Sequence, residues 1–279
     1  MSFAVSTWIC QDCSTEEAVD ILAGSGFAEL ELSGTGSALM SAWQTDGPGT
    51  TARLARHGLK ATSVHCSKAG RVGIGSSDRD ERERAVQENM SFLRNMAESG
   101  VQQLILHPEG VARNVVAPEH PSGAAVLGWD DRHLRDSLSR LADCAGELGL
   151  VLAVENMQSA VAAFTTMDSL LDLIGGLGGH VGLCHDVGHS LLAGLDAERE
   201  MRRALRSGRL FSLHLHHVSV DEVDHLLLPQ GGQPDLNVLL ADLDKAQFPG
   251  QKTIELRPNP VVDPRSVLQS AAKVFLGRF

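Results

Sequence analysis

The feature that most constrains this chain is a recurrence. A short, almost wholly apolar run is followed by a stretch with helical periodicity, and the pair repeats along the sequence. The apolar runs occupy residues 3–7, 28–32, 59–65, 101–107, 150–155, 181–184, 210–216 and 253–256. They are continuous rather than alternating, as expected of parallel strands covered by helices. The first helix opens on a capping box, Ser14 with Glu17 three residues later. Further helical segments cover 79–99, 167–177, 197–207, 235–246 and 264–276; one starts at Asp130 or Asp131 and runs to Gly149, and one of undefined start ends at His57-Gly58. The fold class expected is α/β, a single (β/α)8 TIM barrel, which takes about 250 residues. No linker or composition break divides the chain, so one domain over residues 1–279 is expected.

Six of these runs end at a side chain able to bind a cation: His65, His107, Glu155, Asp186 with His189, His214, and Glu255. In a parallel barrel all strand C-termini converge on one mouth, where catalysis is placed. Taken singly, each has a plain alternative. Asp186 three residues before His189 reads equally well as the cap of a following helix. A histidine after a strand is commonly a satisfied structural residue. Glu155 and Glu255 are harder to set aside, because a carboxylate ending a buried run must find a partner or a cation.

The segments Thr62-Ser63-Val64-His65, Leu106-His107-Pro108, Ala153-Val154-Glu155-Asn156, Asp186-Val187-Gly188-His189, Leu213-His214-Leu215-His216 and Ile254-Glu255-Leu256-Arg257-Pro258 carry a more specific signal. Through them the chain resembles the xylose isomerase-like barrel superfamily, which unites sugar isomerases and epimerases, inosose dehydratases and the endonuclease IV repair enzymes. For the single-metal isomerase branch the resemblance implies the ligands Glu155, Asp186, His214 and Glu255 around Mn, Mg, Co or Zn. It also implies that the two glutamates move protons at adjacent carbons through a metal-stabilised enediolate, with His189 holding a substrate oxygen. The substrate expected is a small sugar or polyol.

For the endonuclease IV branch the resemblance implies a di- or trinuclear zinc phosphoester hydrolase, with His65, His107, His189, Asp224 and His225 as further ligands. Two departures matter. That branch's Asp-x-His and Gly-x-Gly pattern is replaced by Asp224-His225 and Pro229-Gln230-Gly231-Gly232. The acid or base that isomerases often carry after the seventh strand is replaced by His216-His217-Val218-Ser219. A non-catalytic barrel that binds a metal-linked ligand is a third reading, against which the pair of glutamates argues.

Composition then narrows the partners. A net charge of −11 disfavours a dedicated nucleic-acid surface. Five scattered cysteines do not make a disulfide framework, and Cys10-Gln-Asp-Cys13 reads as two unrelated thiols. The first ten residues hold no secretory pattern and no apolar run reaches bilayer length, so a cytoplasmic protein, monomeric or homo-oligomeric, is expected. Trp8 and Trp129 are candidates either for apolar walls around a sugar ring or, equally, for core packing. Gly34 and Gly36 look like a phosphate-loop fragment without its lysine. Arg257 is expected to orient Glu255 or to reach substrate. The stretch 109–128 reads as a long functional loop.

Overall fold

A computed structural model of the chain describes residues 2–66, 73–108, 131–158, 164–228 and 232–277. Its strands are β1 (Ala4–Ser6), β2 (Glu29–Leu32), β3 (Lys60–Cys66), β4 (Gln103–Leu106), β5 (Val151–Glu155), β6 (Val181–Asp186), β7 (Leu210–Leu215) and β8 (Gln251–Ile254). They form one closed barrel in chain order, each strand parallel to the next. The seam between β8 and β1 pairs Ala4 with Thr253 and Val5 with Ile254. The helices are α1 (Thr15–Ala23), α2 (Ala38–Thr45), α3 (Gly47–Arg56), α4 (Arg79–Ser99) and α5 (Asp131–Glu147). The remainder are α6 (Met167–Leu173), α7 (Val187–Leu192), α8 (Ala197–Ser207), α9 (Leu236–Lys245) and α10 (Pro264–Phe275). Among the described residues, no helix is long and apolar enough to cross a membrane.

Successive side chains on a barrel strand point alternately outward to the helices and inward. Leu104, Leu152, Leu183 and Leu213 face outward into one continuous core with the helices. Ile105, Ala153 and Cys184 form a separate small apolar layer inside the barrel. Two residues further along their strands come His107, Glu155 and Asp186, so the polar residues of the mouth stand directly above this floor.

The elements depart from expectation at three places that matter to the site. The segment before His57 is two helices, because Asp46 ends α2 and caps α3, its Oδ1 accepting from Gly49 N at 2.8 Å. The sixth strand runs on to Asp186, and the residues after it form α7, which was not anticipated. The eighth strand starts at Gln251 rather than at 253. Its polar first residues are accommodated because Lys252 is buried along its stem and donates from Nζ to the Gly250 carbonyl at 2.9 Å. Glu255 therefore sits just past the strand, with its N–H still donating to Leu215 O.

Candidate metal centre

Glu155, Asp186, His214 and Glu255 converge, all at most 3% exposed, with ligand atoms within 4.8 Å of one another. His214 Nδ1 lies 2.9 Å from Glu255 Oε2, 3.3 Å from Glu155 Oε1 and 3.7 Å from Asp186 Oδ2. Ligands around an ion at about 2.0–2.2 Å stand about 3.0–3.6 Å from each other, so these edges suit one divalent cation. Glu255 Oε2 is buried and makes no hydrogen bond, an orphaned acceptor turned toward that same imidazole. The residues present fit a metal ion.

The electrostatics agree. Burial alone would raise the Glu155 carboxyl, yet the imidazoles of His214, His107 and His65 hold it well below the usual carboxylate range. The same opposition, with His214 and His65, holds Glu255 down. His65 is disfavoured as a cation by burial but is raised to about 10 by Glu155 and Glu255. Positive charge is what these buried carboxylates require, and a divalent ion supplies it without protonating the ligands.

The local backbone explains how each ligand is held. Asp186 is at once the helix cap and a candidate ligand, so the two sequence readings are compatible: Oδ1 accepts from His189 N at 2.7 Å. Asn156 brackets the same residue, with Nδ2 donating to Asp186 O at 3.0 Å and Oδ1 accepting from Asp186 N at 2.8 Å. His189 Nδ1 donates to the Asn156 carbonyl at 2.9 Å, which leaves Nε2 as its lone-pair nitrogen. His216 Nδ1 accepts from His225 N at 2.9 Å, so its Nε2–H donates to both oxygens of Asp186 at 3.0 Å. A Cβ on Gly188 would run into that His216 ring, so the first turn of α7 can lie against β7 only with glycine there.

The further candidates divide. His65 Nε2 and His107 Nε2 lie 3.1 and 3.2 Å from Glu155 Oε2, a second group able to hold an ion. Asp186, His189 and His225 form a third, Glu31, His65, His214 and Glu255 a fourth, and Glu155, Cys184 and His214 a fifth. Asp224 stands outside all of them, its carboxylate 3.6 Å from Arg257 Nη1 and 3.7 Å from His225 Nε2. Arg257 thus pairs with Asp224 and not, as expected, with Glu255, because the exposed residue after Leu256 turns its side chain to the rim. Trp8 lies at the mouth, its ring edge-on to His225 with centroids 5.0 Å apart. Cys10 and Cys13 are free thiols, and Gly34 and Gly36 take left-handed turn conformations. Trp129, the stretch 109–128 and residues 229–231 lie outside the described residues.

Two buried residues of the site were missed as participants. Glu31 on β2 lies 3.1 Å from His214 Nε2, and His216 grips Asp186. The signals were present: a carboxylate inside the apolar Glu-Leu-Glu-Leu run, and a second histidine two residues after His214, hence on the same face.

A closed eight-stranded parallel barrel with a buried carboxylate–imidazole cluster at its C-terminal mouth defines a TIM barrel with a candidate metal centre. The chain belongs to the xylose isomerase-like TIM barrel family, whose sequence profile matches residues 19–276. No curated protein matches the sequence. Among solved structures, a D-tagatose 3-epimerase-like protein superposes with a TM-score of 0.78 at 17% identity, over 99% of this chain and 97% of its own. The IOLI protein with a bound zinc atom gives 0.78 at 16%, over 99% and 97%. The 3-keto-D-glucoside 4-epimerase YcjR from E. coli gives 0.75 at 18%, over 98% of each chain. At these identities the likeness is one of fold.

Proposed function

We propose that this chain is a single-domain, divalent-metal-dependent isomerase or epimerase of a small sugar or polyol. The observation that carries the reading is that Glu155, on β5, and Glu255, just past β8, meet at one nitrogen of His214. Glu155, Asp186, His214 and Glu255 would hold the ion, which supplies Lewis-acid polarisation of a substrate carbonyl and its neighbouring hydroxyl. One glutamate removes a proton from the carbon beside the carbonyl, and the other returns one to the enediolate. His189, through Nε2, holds a substrate oxygen. Trp8 forms an apolar wall of the mouth, and the Arg257–Asp224 pair forms part of its polar rim. The family likeness to epimerases supports the same substrate class, and the acidic net charge argues against nucleic acid.

A specific observation favours a second reading. The His65–His107–Glu155 and Asp186–His189–His225 groups share ligands with the first, as a di- or trinuclear phosphoester hydrolase would require. Metal content and two assays separate the readings. For the isomerase we expect a single tightly bound ion per chain and deuterium uptake beside the carbonyl of a ketose in D2O. Glu255→Gln should abolish that exchange while the circular dichroism stays native. Two or three zinc ions, removed in part by His65→Ala or His107→Ala, with turnover of bis(p-nitrophenyl) phosphate, would select the hydrolase. Near-normal turnover by Glu255→Gln would sink both.

A further inference from the structure

The nitrogen of His214 that faces away from the carboxylate triad points at Glu31. That carboxylate is completely buried on β2, beside the register shift that pairs Glu31 with Ser63. Its Oε2 accepts from Ser63 Oγ at 2.9 Å and from Thr253 Oγ1 at 3.2 Å, and Gln251 Nε2 stands 3.5 Å away. Strands β3 and β8 therefore hold one oxygen in place from both sides. The other, Oε1, makes no hydrogen bond within the barrel, and neither does His214 Nε2, yet the two lie 3.1 Å apart. His65 Nδ1, at 3.8 Å from the same oxygen, is beyond hydrogen-bond reach.

A neutral imidazole carries one N–H and one lone pair. With the hydrogen on Nδ1 it is donated to Glu155 Oε1 at 3.3 Å and occupies the place a cation needs. On Nε2 it lies on the side of the ring that faces Glu31 Oε1, 3.1 Å away, and Nδ1 is left as the lone pair. We infer that Glu31 is a positioning residue that fixes His214 as the Nε2–H form, so that Nδ1 is the nitrogen that ligates the metal. A carboxylate behind a ligating histidine sets its tautomer and raises its basicity. Glu31, His65, His214 and Glu255 also lie close enough together to hold an ion themselves, so direct ligation by Glu31 is the outcome against which this positioning role, exerted through His214, is tested.

This inference rests on the reading of Glu155, Asp186, His214 and Glu255 as a metal site, and the test separates the two. The full-length protein is stripped with chelator and titrated with zinc by competition against a coloured chelator. Apo-state melting curves are run beside each titration. Glu31→Gln should lower zinc affinity about 10–100-fold with the number of ions bound unchanged. Ser63→Ala, which removes one of the bonds holding Oε2, should lower it in the same direction by less, and serves should Glu31→Gln not fold. In a His214→Ala background, adding Glu31→Gln should change affinity by less than about twofold, an outcome a merely structural role would not produce.

Unchanged affinity in both single variants would overturn the inference. So would loss of a whole ion in Glu31→Gln, which would make Glu31 a ligand, or an equal effect with and without His214. If the unmodified chain takes up no zinc, cobalt or manganese, the metal-site reading itself fails, and this inference with it.

Discussion

Cys10 ends the short 3-10 turn Thr7–Cys10 that follows β1, with its thiol buried against that of Cys13. Burial, and secondarily Cys13, pushes this thiol up from its ordinary value of 9.0 to about 12. Between those values the unfolded chain gives up the proton while the folded one keeps it. Stability is therefore intact below pH 9 and falls as pH rises, by up to about 1.4 kcal/mol per unit. Urea denaturation at about pH 8 and about pH 10 should show the unmodified chain losing about 1 kcal/mol more than Cys10→Ala. Equal losses would mean the thiol ionises in the folded state as freely as in water. At this scale the sequence is a good guide where a residue's neighbours are local and a poor one where they are distant. Glu155 and Glu255 stand out as carboxylates at the ends of apolar runs. Glu31 looks the same in its own run, but its partners are 32 and more than 180 residues away, and nothing local announces them.

Whole elements were legible wherever their ends carry caps. The helix α4 runs over 79–99 as expected because Asp78 accepts at its start and Gly100 closes it in the left-handed conformation. The same holds for α8, closed by Gly208. The short helix α7 escaped notice, since six residues with a glycine among them give no periodicity to read. Yet α7 is what carries His189 into the mouth, with Asp186 at the end of β6 as its cap, and its seat against β7 depends on Gly188. Gly188→Ala should push His216 off Asp186 and destabilise the fold by about 1–3 kcal/mol through overpacking. Zinc affinity should fall as well, since Asp186 loses the donor that orients it. A variant with native denaturation midpoint and native zinc affinity would show that the ring yields without consequence.

For the molecule as a whole, the barrel brings four buried carboxylates, Glu31, Glu155, Asp186 and Glu255, under one roof of imidazoles. Such a group is costly to keep without a cation. Chelation should therefore lower the melting temperature, and restoring zinc at about 100 times its dissociation constant should return about 2.7 kcal/mol. The gain should track free zinc concentration in calorimetry, and a melting temperature indifferent to zinc would count against the site. The closed topology was legible from the tally of strand–helix units, whereas the register shifts that align Glu31 with Ser63 and Asp186 with His214 were not. They arise from how neighbouring strands are staggered around the barrel, which no single segment encodes.

The placement of Glu255 immediately after β8 has a bearing on how the protein is made. A ribosome delivers the segments in order, so three of the four carboxylates are already outside the exit tunnel before the last strand emerges. The seam with β1 and the final ligand arrive together in that one segment. A nascent chain paused before residue 251 would hold an open sheet whose acidic pocket is incomplete, and the centre would become competent only with the closing of the cylinder.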